Sequence, residues 1–393
     1  MNISGYCHPD FAEVRSLFES LWQGIEVGAA TSAYLDGECI FDLWGGFTDR
    51  AQTQSWQQNT LVNTYSISKG VVATAIAKLV ETGALAYEHK VCDYWPEFSQ
   101  QGKDQITIEQ LLSHQAGLCG INTRIEVEDL YDWEKITGLL AAQAPLWPPG
   151  SAAGYHPITW GYLAGELIRR ATGQMPGNYI QEQICEPLGL NFYLGVPDAE
   201  LANCAELIGP NHIPDDANPR KHATQQPVAA PADDTAQAHL YQLAQLNPVI
   251  SPFKHASSKP WRQAQIPASN GHSDASSLAK LYGALAKGGK IEQHRLLDPD
   301  ALLSATKGVV ENQIDLIMKH VINRSRGGYI LSHDHNYGPT TTGFGHAGAG
   351  GSMAFADPAA RVGFSYVMNQ LQPEGYGPRY SKIVEKIYQI IAI

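Results

Sequence analysis

The sequence predicts an α/β fold in which one antiparallel sheet is assembled from both ends of the chain and flanked by helices, with a mainly helical stretch inserted between. Three observations predict it. Near the start a helical pattern is followed by two short β-type runs around Asp36-Gly37; near the end two more β-type runs are followed by a helix; the middle is dominated by 3.6-residue periodicity. The single alternation of strands with helices that a doubly wound parallel sheet requires is missing.

Within residues 9–22, Phe11, Val14, Leu17, Phe18 and Leu21 recur at helical spacing and predict an amphipathic helix. Strands are expected at 31–35 and 39–44, because Asp36-Gly37 suits a two-residue hairpin turn and Gly45-Gly46 ends the second run. From 69 to 85, Val71, Val72, Ile76, Leu79 and Val80 share one face and Gly83 stands near the stop, so a helix starts just after Ser66. Thr107 and Gln110 have the capping-box spacing for a short helix ending near Ser113. Helical patterns follow at 130–143, 160–172 and 178–188, punctuated by Gly173, Pro187 and Gly189. Periodicity fades between about 209 and 270, a stretch rich in Pro, Ala, Gln and His; such stretches often border active sites, and we expect this one to wall a substrate pocket. A helix at 275–287, strands at 352–356 and 362–368 around Asp357-Pro358, and a helix at 380–391 complete the pattern. The expected division is an α/β domain from 1–80 and 290–393, and a helical, loop-rich domain from 81–289.

The chain has 393 residues, 44% of them hydrophobic and only 17% charged, enough apolar material for a large core. Its formal charge of −12 makes nucleic acid and anionic membrane poor partners and leaves a small molecule as the expected one. The longest apolar run, 71–80, is broken by Thr74 and Lys78 and is too short to span a bilayer. The opening residues lack a basic start and an apolar stretch, so the six cysteines are expected as reduced thiols in a cytoplasmic protein. No cofactor is implied. There is no GxxxxGK[ST] and no GxSxG, and the GxGxxG at Gly343, Gly345 and Gly348 runs into a strand where a dinucleotide fingerprint needs a helix. His333-Asp334-His335 has metal-ligand spacing but no third ligand, so no metal is expected.

Three segments carry chemistry. The first is Ser66-Ile67-Ser68-Lys69, an S-x-x-K whose spacing also occurs at Ser251/Lys254, Ser277/Lys280 and Ser304/Lys307. Only Ser66 stands at the start of a strong apolar helix, where residues i and i+3 share a face and a lysine buried among Tyr65, Ile67, Val71 and Val72 can lose its proton. A plain capping serine followed by a solvated lysine would have the same spacing. The second segment, 147–156, is a glycine- and proline-built loop that delivers Tyr155, with His156 beside it as another candidate base; a phenol near a lysine can relay a proton. The third, 344–352, packs its glycines just before a strand, where backbone N–H groups could donate to a developing oxyanion.

Together these segments resemble the serine β-lactamase and penicillin-binding-protein superfamily, in the class C branch that includes the family VIII carboxylesterases and the lovastatin-type acyltransferases. The S-x-x-K motif falls on Ser66 and Lys69, the tyrosine motif on Tyr155, and the K-T-G or H-x-G motif on His346, Ala347 and Gly348. LWGGFTD at 43–49, LLSHQAGL at 111–118, GYHPITWGYLAGE at 154–166 and ASNGHSDASSLAKLY at 268–282 also look like the esterase branch. The resemblance implies a β-lactamase-like fold and an acyl-enzyme on Ser66, with Lys69 and Tyr155 sharing base and acid work. It implies an oxyanion hole from the amides of Ser66 and Ala349, and substrate contacts at His346, Ala347, Gly348 and His156. Two departures shape the expected substrate. Position 157 is Pro where a β-lactamase of this branch has Asn, and position 346 is His where it has Lys, so carboxylic esters of short acyl chains are expected rather than β-lactams. An acyltransferase, a β-lactamase or peptidase, or a non-catalytic binding protein of the same fold are the alternatives.

Overall fold

The computed structural model describes residues 3–24, 26–209, 235–372 and 378–392. Among these, nine strands form one sheet in which every neighbouring pair is antiparallel. Its order is Ile3–Cys7, Glu38–Gly46, Gly28–Leu35, Val362–Met368, Ser352–Asp357, Phe344–Gly348, Ile330–Leu331, Arg324–Ser325 and Gly308–Val310. The two chain ends meet where Val362 pairs with Leu35 and Met368 with Ala29. The N-terminal hairpin turns as expected: Asp36 and Gly37 both have positive φ, at 52° and 85°, the geometry whose twist matches the flanking strands.

Side chains alternate across a strand, and neighbours in Val362–Met368 show which layer lies on each face. Tyr366 meets Phe18 and Tyr380, ring centroids 6.3 and 6.4 Å away, from the helices Ala12–Ser20 and Pro378–Ile390. The adjacent Ser365 donates through Oγ to Ala275 O of the helix Ala275–Ala286 on the opposite face. That helix crosses the sheet so closely that a Cβ on Gly363 would stand 2.1 Å from Gly283 N. The segment 81–289 therefore contributes to the sheet's cover as well as to the helical part of the molecule.

Helices at Trp133–Ala142, Thr159–Thr172 and Pro176–Ile180 occupy the expected stretches, and the capping box at Thr107 and Gln110 is formed in both directions. Several elements differ from expectation, among them the helix Pro299–Ala305 and the strands Gly308–Val310, Arg324–Ser325 and Ile330–Leu331, which no periodicity marks. The edge strand Ile3–Cys7 is short and carries Gly5 at φ +110°, which hides its pattern. The glycine-rich 344–348 is itself a strand, and only 349–351 turn into the next one. A helix at Thr235–Gln245 lies in the stretch where periodicity faded. Residues 210–234 of that stretch lie outside the described residues. All six cysteines are free thiols, and among the described residues no helix is long and apolar enough to cross a membrane.

Candidate active site

The helix Ile67–Glu81 is apolar on nearly every side, and its residues 67–77 are all buried. It starts abruptly. Tyr65 takes a left-handed conformation, φ +49°, that turns the chain from the strand Val62–Asn63 into the helix. Ser66 follows, and its hydroxyl makes no capping bond, which removes the plain N-cap reading and leaves Oγ for its neighbours. Tyr155 Oη donates to Ser66 Oγ at 2.7 Å and Lys69 Nζ donates at 3.2 Å. Ser68 is a clamp instead: its Oγ donates to Tyr65 O and accepts from Gly271 N–H, which fixes the turn beneath Ser66.

Lys69 is fully buried, and loss of hydration pushes its pKa well below the ordinary lysine range. Its ammonium also reaches Pro157 O at 2.8 Å and Ala268 O at 3.0 Å. A neutral amine keeps two N–H groups and one lone pair. With the two carbonyls accepting the N–H groups, the lone pair is left facing Ser66 Oγ, where a base is needed.

Tyr155 is held by its backbone. Gly154 N–H donates to His114 O at 3.1 Å, Tyr155 N–H to Asp315 Oδ1 at 3.1 Å, and His156 N–H to His114 Nδ1 at 3.0 Å, so three consecutive amides are tied. The ring of His114, a residue whose backbone is at φ +66°, lies between Tyr155 and Trp160, with centroids 5.2 and 6.0 Å away. His156 was expected to serve as a base or touch substrate, and the geometry corrects this. Its Nδ1 donates to Gly154 O and its Nε2 accepts from Leu118 N–H at 3.0 Å, so both ring nitrogens are committed to the loop. Burial lowers its pKa to about 3 and keeps it neutral.

His346 lies beside Tyr155, ring centroids 6.1 Å apart, and is only 4% exposed. Its Nδ1 is 2.7 Å from Ala347 O, and burial lowers its pKa to about 3. Gly348 brings the strand against the start of the Ser66 helix: a Cβ there would meet Thr64 O at 2.3 Å and Ser352 Oγ at 2.2 Å. Ala349 follows it, as Tyr65 and Ser66 follow Thr64. Neither the Ser66 nor the Ala349 amide has an acceptor among the described residues. Gly348→Ala should force the two backbones apart, lowering kcat for an ester at least tenfold and stability by about 1–3 kcal/mol. Steady-state kinetics and thermal melting check both, and an unchanged kcat would show that the close approach does not matter.

The other serine–lysine spacings hold no such pair. Ser251 Oγ accepts from Lys254 N–H, Lys280 Nζ is bound to Glu292 at 3.2 Å with Ser277 Oγ accepting from Asn191 N–H, and Lys307 is exposed. Among the described residues no cluster of His, Cys, Asp or Glu could hold a metal, His333 and His335 included. Sequence reading missed His114, Ser68, Asp315 and the buried Arg324 that binds Asp315. A histidine inside LLSHQAGL was the one local sign; nothing near Asp315 marks it.

Comparison with known proteins shows the family of the chain. The esterase/beta-lactamase LipL of Mycobacterium tuberculosis is 32% identical over 372 residues, covering 94% of this chain and 83% of that protein. A family VIII carboxylesterase crystal structure superposes with a TM-score of 0.89 at 36% identity, covering 99% of this chain and all of that one. A penicillin-binding protein homologue from Caulobacter crescentus gives 0.87 at 39% identity, covering 99% of this chain and 100% of that one. The beta-lactamase family model matches residues 14–387, and the chain belongs to that family.

Proposed function

We propose that the protein is a carboxylesterase that hydrolyses short-chain carboxylic esters through an acyl-enzyme on Ser66. The observation that carries this reading is the convergence of Lys69 Nζ and Tyr155 Oη on Ser66 Oγ, with the lysine stripped of water. Similarity to a family VIII carboxylesterase and to a protein named as an esterase supports the substrate class. Ser66 Oγ attacks the acyl carbon while its proton passes to the Lys69–Tyr155 pair. The carbonyl oxygen becomes an oxyanion between the amides of Ser66 and Ala349, and the carbon–oxygen bond to the alcohol breaks as the pair returns the proton to that oxygen. Water then attacks the acyl carbon, giving a proton to the same pair; the acid leaves and Ser66 Oγ is reprotonated. His346, with the adjoining Ala347 and Gly348, borders the substrate side. The six free thiols support the expected cytoplasmic setting.

A fluorophosphonate should attach to the peptide containing Ser66, with p-nitrophenyl acyl esters as the matching substrates. Attachment to another serine would overturn the assignment, and failure to label folded protein would favour a non-catalytic role.

The pH dependence follows from the same pair. Lys69 must be neutral to accept a proton, so kcat/KM should rise as pH climbs through its pKa, which burial lowers from about 10.4 toward the working range. His114, His156 and His346 are all pushed below the ordinary histidine value by burial and do not change charge near neutrality. Activity should therefore be greatest on the alkaline side. An optimum near pH 5 would count against a lysine–tyrosine base.

A further inference from the structure

Behind Tyr155 lies a charge pair that the reaction scheme above does not use. Asp315 and Arg324 are each about 1% exposed, and Arg324 Nη2 donates to Asp315 Oδ2. The other carboxylate oxygen is saturated by backbone: Oδ1 accepts from Tyr155 N–H at 3.1 Å and from Ile317 N–H and Met318 N–H at 2.8 Å each. Arg324 is not saturated. Its Nε and Nη1 are buried without a hydrogen-bond partner among the described residues, a costly state for a guanidinium.

The carboxylate is thus committed to the loop backbone on one oxygen and to the guanidinium on the other, and the buried cation is held one carboxylate away from the Tyr155 amide with two donors unpaired among the described residues. Its charge is felt at Tyr155, His114, His156 and His346. Among the described residues, groups close to the Tyr155 ring include Lys69, with Nζ 4.9 Å from its centroid, and the rings of His114 at 5.2 Å and His346 at 6.1 Å. Both histidines are uncharged. Where the third motif would otherwise place a lysine the chain has His346, and Arg324 stays charged when Lys69 is neutral.

We propose that Arg324 is a positioning residue for the proton relay: anchored by Asp315, which also fixes the Tyr155 backbone, it supplies the positive charge that favours the phenolate form of Tyr155. The cation stabilises the charge that appears on Oη whenever the phenol gives up its proton, and the Asp315 bond keeps that oxygen on Ser66. This rests on the Ser66–Lys69–Tyr155 reading.

The test is the pH profile of kcat/KM for p-nitrophenyl butyrate with Arg324→Met, Arg324→Lys and the double variant Asp315→Asn/Arg324→Met. A positive charge lowers the pKa of a neighbouring lysine and of a phenol alike, so removing it should move the acidic limb, which belongs to the Lys69–Tyr155 pair, to higher pH, and the Tyr155 titration separates the phenol's share. Arg324→Met also leaves Asp315 uncompensated and should shift the limb most, by about one unit or more, equivalent to about tenfold lower kcat/KM below the limb. The double variant keeps an acceptor for the three amides and should shift it less. Arg324→Lys should lie near the parent. Titration of 13Cζ-labelled Tyr155 by NMR, in the Arg324→Lys and double variants, should show the same order. Uniform loss of activity with the limb and the Tyr155 titration unmoved would overturn the proposal and leave the pair a purely structural tie. Full activity in Ser66→Ala would instead refute the reading on which it stands, so the two failures are separable.

Discussion

Replacing Ser66 by alanine is expected to lower kcat for p-nitrophenyl butyrate by at least about ten-thousand-fold, the scale found when a serine nucleophile is removed from an acyl-transfer site. The fold should survive, because the Ser66 hydroxyl makes no capping bond and its two partners are side chains of the site itself. Ser68→Ala offers the contrast: Ser68 joins Tyr65 O to Gly271 N–H, so its loss should appear first in the melting temperature. Lys69→Met keeps the length and removes the base, and its effect should approach that of Ser66→Ala. The double variant should be scarcely worse than either single one, since the groups act as a unit. A residual rate within tenfold of the parent in Ser66→Ala, on protein free of contaminating esterase, would refute the acyl-enzyme.

Much of this site was legible in the sequence because its decisive signals are local. The S-x-x-K spacing and the apolar helix behind it place Lys69 one turn from Ser66 and bury it; the hairpin at Asp36-Gly37 and the capping box at Thr107 are likewise written within a few residues. The strand Phe344–Gly348 was hidden because its glycines are there for close approach, to Ala354 O at 2.3 Å from a Cβ on Gly345 and to Thr64 O from one on Gly348. Such contacts lie far away in the chain and leave no period behind. The same applies to Asp315 on Tyr155, a hydrogen bond across 160 positions, and to Lys69 on Pro157 and Ala268. His156 was misread for the complementary reason. A histidine next to the tyrosine of a candidate site looks chemical in sequence, and only its bonds to Gly154 and Leu118 show that it holds the loop.

Ester hydrolysis should exceed penicillin hydrolysis by about a hundredfold or more in kcat/KM, with p-nitrophenyl butyrate and benzylpenicillin as the pair to compare. A penicillin brings a ring carboxylate that needs a cation beside the third motif, and His346 offers none. Burial keeps its pKa at about 3, so it is neutral wherever the enzyme works. Arg324 cannot substitute, being about 1% exposed and bound to Asp315 behind Tyr155. Exchanging a charge-assisted hydrogen bond, about 1.5–3 kcal/mol, for a neutral one of about 1 kcal/mol costs a penicillin part of its binding. The rest of the deficit arises at position 157, where proline has no side-chain amide to hold the antibiotic's acyl carbonyl and its own carbonyl is taken by Lys69 at 2.8 Å. The first loss is about 0.5–2 kcal/mol and an unpaired carbonyl costs about 1–3 kcal/mol, so the two together reach about 1.5–5 kcal/mol, and every 1.4 kcal/mol is tenfold. A short neutral ester needs neither contact, only Ser66, its base and the two amides. Equal turnover of benzylpenicillin and p-nitrophenyl butyrate would show that His346 and Pro157 do not set the substrate class, and would place the protein with the β-lactamases in function as well as in family.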